Sequence, residues 1–483
     1  MRRNNLTHVQ TTYLTDELTY FNLGTNVYCN SATVNDFDVQ YSQNSCGTSQ
    51  DLCSDSLCGL KIHVYYPAGV TINCKLRAII LFHGGAYNEC GDYNDGGIVA
   101  ISKDLATRGY AVFNVNYRVG VISDPRLVQN IIDNNPVLKY VSAQQMLAIY
   151  RALQDARGAI RSIIAMQVDG TFLHAGKYQI DPNNVFLGGV SAGSLIALSA
   201  GYFGPGTTGQ GLIDMMFPGV STAFGGTTGL GPIDPQGVYY TDPPHLASND
   251  YFNRLKGILN CWGALFIPNS YLSHPYDFFS GQGFSLPPII SFCGKNDTVF
   301  DYNSQGVYFS PSKLYKKIAL NTELRCLPNG PYTVPPDNNL AHPIKYETCI
   351  GSQTIYFMLK TPGTGITPIP TEFYLDCNMY HGLDTDDPLC HTCTADPTNL
   401  FVKPDGLGGC KLCGYQSNFG TQNNTAVGTF DYIAARAATF FQTILGGGTS
   451  NISTSRFVEC ENKRVTCTGT TNSGCSDDTQ CPN

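Results

Sequence analysis

Gly189-Val190-Ser191-Ala192-Gly193 follows the short apolar stretch NVFLG and precedes SLIALSAGYF, a helix-like run. A serine hydroxyl is a poor nucleophile until a base takes its proton and a carbonyl carbon can reach it. A G-x-S-x-G turn between a strand and a helix meets the second need, because it lifts the serine Oγ clear of the strand end. The glycines allow the close backbone approach that so tight a turn requires. In a chain with 50 glycines the five residues alone would equally describe an ordinary loop. The strand before and the helix after make Ser191 the candidate nucleophile.

The groups such a serine needs lie in other segments. Upstream, AIILF reads as a strand buried on both faces and ends in His83-Gly84-Gly85-Ala86. Small residues at that point let backbone N–H groups face a cavity and hold the oxyanion of a tetrahedral intermediate. Downstream, PPIISFCGKNDTVF gives a strand and then a turn with Asp297, and TEFYLDCNMYHGLD gives another strand and then His381. A base must touch the serine, and an acid must orient that base and stabilise its charged form. Ser191, Asp297 and His381 each follow a separate strand, so loops at one edge of a parallel sheet could bring them together. Asp301 is a rival acid, four residues beyond Asp297; Asp297 is preferred because it sits in the turn right after the strand.

These segments resemble the α/β-hydrolases, in particular the carboxylesterase and hormone-sensitive-lipase-like group. The likeness also runs through YAVFNVNYRVG, the helix RALQDARGAIRSI, DPNNVFLGGVSAGS at the elbow and LKGILNCWGAL, and spans roughly residues 57 to 445. It implies an α/β-hydrolase fold, a mostly parallel sheet flanked by helices and carrying cap-like insertions. It implies Ser191 as nucleophile, His381 as base, Asp297 as acid, and the N–H groups of Gly85, Ala86 and Ala192 as oxyanion donors. Where many relatives read HGGG this chain reads HGGA; the backbone donor survives, and the added methyl narrows the acyl pocket. The implied activity is hydrolysis of carboxylic esters through an acyl-enzyme. Amide or peptide bond hydrolysis by the same triad, or a hydrolase-fold binding protein without catalysis, are the alternatives.

Composition narrows the setting. The net charge of -8 has Lys and Arg scattered rather than striped, which disfavours nucleic acid as a partner. No apolar stretch approaches the roughly 18 residues of a membrane span. The start, MRRNNLTHVQTTYLTDELTY, has no apolar h-region and does not read as a signal peptide. The 19 cysteines, clustered outside the motifs, predict disulfide staples and an oxidising compartment, secreted or periplasmic, for a chain whose leader is already removed. The odd count leaves at least one thiol unpaired or bridged between chains. Cys261 and Cys293 fall inside core strands and are expected to be buried, inert thiols. Cys390, Cys393, Cys410 and Cys413 have the spacing of a four-thiolate zinc knuckle, but the surrounding cysteine load favours disulfides. The triad chemistry itself calls for no cofactor and no metal.

The organisation follows. Residues 1–60 read as a polar, β-rich extension, and LKIHVYYPAG as a strand at the antiparallel edge of the sheet. Residues 61–445 form the catalytic domain, with insertions at about 201–256, 320–370 and 385–425. Ala143–Ala165 reads as a long helix and VGTFDYIAARAATFFQTIL as the last one. Residues 446–483 read as a linker and a Cys-rich tail, beginning at the GGG of 446–448. Tyr87, Tyr117 and Tyr202 are expected near the active edge, lining a pocket or simply packing.

Overall fold

In the computed structural model, the continuous apolar runs become strands covered on both faces. The structure describes residues 34–45, 59–70, 75–85, 87, 96–119, 137–168, 179–204, 251–267, 278, 285–294, 297, 300, 302, 307–309, 344–346, 349–360, 368–376, 421–422, 425–426, 429–446 and 456–459. Through the elbow the elements are β1 (Val34–Ser45), β2 (Gly59–Pro67), β3 (Lys75–Phe82), α1 (Gly96–Thr107), β4 (Tyr110–Val115), α2 (Val137–Val168), β5 (Gln179–Val190) and α3 (Ala192–Tyr202). Then come β6 (Leu255–Cys261), β7 (Ala264–Phe266), β8 (Ile289–Gly294), β9 (Val307–Phe309), β10 (Ile344–Tyr346), β11 (Cys349–Gly351), α4 (Ser352–Lys360) and β12 (Thr371–Asp376). The last are β13 (Thr421–Gln422), β14 (Thr425–Ala426), α5 (Thr429–Leu445) and β15 (Arg456–Glu459).

Nine strands form one sheet in the order β1-β2-β4-β3-β5-β6-β8-β12-β15. From β4 to β15 every neighbouring pair is parallel, while β2 runs antiparallel to both β1 and β4. This is the α/β-hydrolase fold. The expected antiparallel strand is thus β2, but it is not the edge: β1 covers its outer side. Polar DFDVQYSQNS gains a strand there through hydrogen bonds to β2, and His63 Nδ1 sits 2.6 Å from Asp38 Oδ1 across the pair. At the other end β15, four residues of the Cys-bearing tail, adds to β12. Apart from Gly446, the other tail residues lie outside the described residues.

Alternation along the strands builds two cores. Ala78, Ile80 and Phe82 of β3 join Ala111, Phe113 and Val115 of β4 under α2 and α3. Ile79 and Leu81 face the other way, with Tyr110, Val112, and the α1 and α5 side chains Ile101, Leu105, Ile433 and Phe441. Both faces of a parallel sheet must be covered by its crossover helices, which is why these strands read as unbroken apolar runs rather than as alternating ones. The helix expected over Ala143–Ala165 is observed as Val137–Val168, nearly two turns longer at its start and slightly under one turn longer at its end. No helix of the described residues is long and apolar enough to cross a membrane.

The loop after β4 is pinned to α2 by an ion pair. Arg118 Nη2 lies 2.8 Å from Asp155 Oδ1, Arg118 Nε and backbone N–H donate to the same carboxylate, and Asp155 is wholly buried. Arg118→Met should therefore lower stability by about 1–3 kcal/mol, because the buried carboxylate loses the charged hydrogen bonds of that guanidinium. Chemical denaturation of both proteins measures it; a shift within about 0.5 kcal/mol would show that water replaces the guanidinium.

Candidate active site

The strand registers set the geometry of the active edge. Phe82 pairs with Gly189, Val190 with Cys261, Cys261 with Phe292, and Cys293 with Leu375. The C-terminal ends of β3, β5, β6, β8 and β12 therefore finish almost level, and the segments after them emerge side by side. Ser191 follows β5 directly, and Asp297 follows β8 by three residues, two strands away. At about 4.8 Å per strand that is roughly 10 Å of sheet. His381 lies outside the described residues; its chain position is five residues past β12, the neighbour of β8.

Ser191 has φ 54° and ψ −118°, a conformation an L-residue adopts only when its surroundings impose it. Its N–H donates to the Cys261 carbonyl at 2.8 Å, and its own carbonyl accepts from Leu195 N–H at 3.2 Å. Gly189 and Gly193 are what make the turn possible. A Cβ on Gly189 would fall 2.2 Å from the Gly193 carbonyl carbon, and one on Gly193 would fall 1.9 Å from the Phe82 carbonyl oxygen. The first helical turn of α3 is clamped to β6 by Ser194, whose Oγ accepts from Cys261 N–H at 2.8 Å and also contacts the Gly189 carbonyl.

The segment after β3 packs directly on this turn. A Cβ on Gly84 would come 3.5 Å from the Ser191 Cβ, and Gly85 turns with φ 96°. Two phenols hold it: Tyr117 Oη donates to the His83 carbonyl at 2.7 Å, and Tyr87 Oη donates to the Ala192 carbonyl at 3.0 Å. The His83 ring stacks on Tyr117 at 4.2 Å, its Nδ1 lies 2.8 Å from the Gly84 carbonyl, and the ring is fully buried. Tyr87 and Tyr117 thus brace the elbow through their hydroxyls. Tyr202 does not lie at the active edge: it ends α3, and its hydroxyl donates to the Pro287 carbonyl, ahead of β8, at the opposite edge. An eleven-residue helix runs about 16 Å from its start, which carries Tyr202 across the sheet.

Of the expected oxyanion donors, Ala192 follows Ser191 at the start of α3, Gly85 is the residue after the packed Gly84, and Ala86 lies outside the described residues. The N–H groups of a first helical turn have no acceptor within the helix, and the helix dipole places partial positive charge there. With the Ser191 N–H taken by Cys261, the N–H groups without an intrahelical acceptor begin at Ala192. Asp297 is nearly buried, at 7 % exposure, and its Oδ1 accepts from Phe300 N–H at 2.8 Å, which fixes the carboxylate. Asp301 lies outside the described residues.

Three features escape sequence reasoning. Trp262, the one tryptophan of the chain, follows β6 with φ 54° and is wholly buried, its N–H donating to the Phe292 carbonyl at 2.8 Å. Asn260 Nδ2 donates to Ser352 Oγ at 2.8 Å and lies 3.1 Å from Ser291 Oγ, while Ser352 Oγ donates to the Gly263 carbonyl at 2.7 Å. This buried amide and two hydroxyls fasten the end of β6 to β8 and α4 just beneath the edge. The third is the anchoring of β12, the strand that leads to His381: Arg436 Nε donates to Tyr374 Oη at 2.7 Å, and Arg436 also pairs with Glu372. Polar residues inside otherwise apolar strands, Asn260 and Ser291 among them, were the only sequence signal.

Cys261 and Cys293 are free and buried at the ends of β6 and β8. Burial pushes the Cys293 thiol up to about 12, with nearby Asp297 adding to the rise, and burial pushes Cys261 well up too. A raised thiol pKa leaves almost no thiolate at neutral pH. Neutral iodoacetamide should therefore leave both unmodified in the native protein, which peptide mass mapping checks; rapid alkylation of either would show an open route to the edge.

The strand order and the strained serine turn together are those of the α/β-hydrolase fold. The BD-FAE family model matches residues 62–150, from β2 through the first part of α2. No curated protein matches the chain in sequence. Among solved structures, the apo form of Thermogutta terrifontis esterase 2 is 15% identical, with 67% of this chain and 81% of that chain covered at a TM-score of 0.32. The same esterase phosphonylated by sarin is 14% identical over 80% and 91%, at a TM-score of 0.34. A C6-C4 SN3 inhibited esterase B from Lactobacillus rhamnosis is 15% identical over 68% and 82%, at a TM-score of 0.26. At such scores these likenesses add nothing to the strand order and the elbow geometry.

Proposed function

We propose that the chain is a serine hydrolase of carboxylic esters, with Ser191, His381 and Asp297 as its triad. The observation that carries this reading is the Ser191 turn: φ 54° on a non-glycine residue, between a buried strand and a buried helix, with the HGG segment packed against it. Such strain persists only where the surroundings over-determine it, and it clusters at reactive sites. In the proposed cycle the Ser191 Oγ attacks the ester carbonyl while His381 takes its proton. The N–H groups of Gly85, Ala86 and Ala192 hold the oxyanion, and His381 then protonates the leaving alcohol. Water activated by the same histidine releases the acid. Asp297 orients His381 and stabilises its charged form. The cysteine load further suggests that this chemistry runs in an oxidising compartment, outside or at the border of the cell.

A fluorophosphonate probe tests the reading, since it bonds covalently only to an activated serine. The expected result is one adduct per chain, mapped to the Ser191 peptide, with turnover of p-nitrophenyl esters well above that of the matching anilides. An unlabelled, well-folded protein would leave a binding protein on a hydrolase fold, and faster anilide turnover would make it an amidase.

A further inference from the structure

At the edge of the sheet opposite the elbow lies a buried cationic cluster that the ester chemistry does not use. Arg157 and Arg161 are one turn apart on α2, and both are fully buried. The Arg157 Nη2 donates to the carbonyl of Phe203, the residue that closes α3, at 2.8 Å. Its guanidinium carbon lies 5.6 Å above the Phe252 ring, and Tyr251 stacks on that ring at 4.2 Å just before β6. Among the described residues no carboxylate pairs with Arg157, and neither its Nε nor the hydroxyl of the fully buried Tyr251 has a hydrogen-bond acceptor.

A guanidinium does not lose its proton in a protein, so Arg157 carries its charge into the interior. An isolated buried charge is costly unless a counter-charge accompanies it, and each orphaned donor adds the price of its own desolvation. A second guanidinium, that of Arg161, stands one turn further along α2. Burial pulls the Arg157 pKa down, with Arg161 pulling the same way, and burial pushes the Tyr251 phenol up, so Tyr251 keeps its proton as a donor. Two unmet N–H and O–H donors, a second cation and aromatic walls are the recognition elements of a small, weakly hydrated anion.

We infer that Arg157, Arg161 and Tyr251 form a binding site for one small monovalent anion of the halide class, structural in role and separate from Ser191. The inference stands whether or not the chain hydrolyses esters. The test is the melting temperature of the full chain at constant ionic strength, as sodium gluconate is replaced by chloride or bromide. A saturable rise of about 3 °C or more is expected once the halide reaches ~100 times its dissociation constant. Ser191→Ala should show the same rise, Arg157→Lys part of it, and Arg157→Met none. If Arg157→Met does not fold, a bromide-soaked crystal of the unaltered protein decides, with an anomalous peak expected within hydrogen-bond reach of the Arg157 Nε. Equal melting in gluconate and halide, a full halide response in Arg157→Met, or bromide bound elsewhere but not here would each overturn the site.

Discussion

Ser191→Ala should reduce ester turnover by roughly 10⁴-fold or more while leaving the melting temperature close to that of the parent. The hydroxyl is the only group removed, and the residual rate should come from substrate binding and the oxyanion donors alone. The structure argues that the fold will tolerate the change: the backbone N–H and carbonyl bonds of Ser191 survive it, and Ala192 and Ser194 are untouched. His381→Ala should match the loss, because residues that act as a unit fail as a unit. Asp297→Asn should be nearly as severe, and Asp301→Asn mild; the reverse order would move the acid to Asp301. Initial rates on p-nitrophenyl esters, taken beside melting curves, separate chemistry from folding. Turnover within tenfold of the parent in Ser191→Ala would end the serine mechanism.

How much of this was legible before the structure depended on whether the cause was local. The strand before Asp297 and the helix Thr429–Leu445 could be read because each carries its own signal, a continuous apolar run in one and an amphipathic period in the other. The elbow could be read because the steric demand falls on positions two before and two after the serine, both of which only glycine can fill. β1 was harder. Its Asp36 and Asp38 are exposed, and the hydrogen-bonding edge of β2 and the His63 contacts that hold it lie in another segment of the chain. Tyr202 was placed at the wrong edge because sequence proximity to Ser191 says nothing about the length of the helix between them. The Asn260–Ser291–Ser352 contacts join residues 31 and 92 positions apart, and no period within a segment encodes them. Arg157 and Arg161 were hidden for a related reason: on a helix they look like its solvent face, yet α2 is covered all round at that level.

Gly193→Ala should be the most damaging methyl among the described glycines. A Cβ there would sit 1.9 Å from the Phe82 carbonyl oxygen, 2.3 Å from its carbon and 2.5 Å from the His83 oxygen. These are backbone atoms at the end of a fully buried strand, so no side chain can swing aside, and the first turn of α3 must instead pull away from β3. That separation would break the Ser194 contacts with β6 and the Tyr87 brace on Ala192 together, a loss beyond about 4 kcal/mol out of a total that is typically 5–15. Gly69→Ala is the matching control. Its φ of 75° disfavours any side chain, yet nothing lies within 4 Å, so it should cost only about 1–2 kcal/mol. Denaturation midpoints of the two variants measure the difference, and a Gly193→Ala protein as stable as Gly69→Ala would show that the elbow can shift off β3. The contact has a chemical meaning as well. It packs the start of α3 against the end of β3, and a donor pair can act on a developing oxyanion only if its spacing is fixed before the substrate arrives. The same bare glycine that lets the helix touch the strand is therefore what holds the proposed oxyanion hole to size.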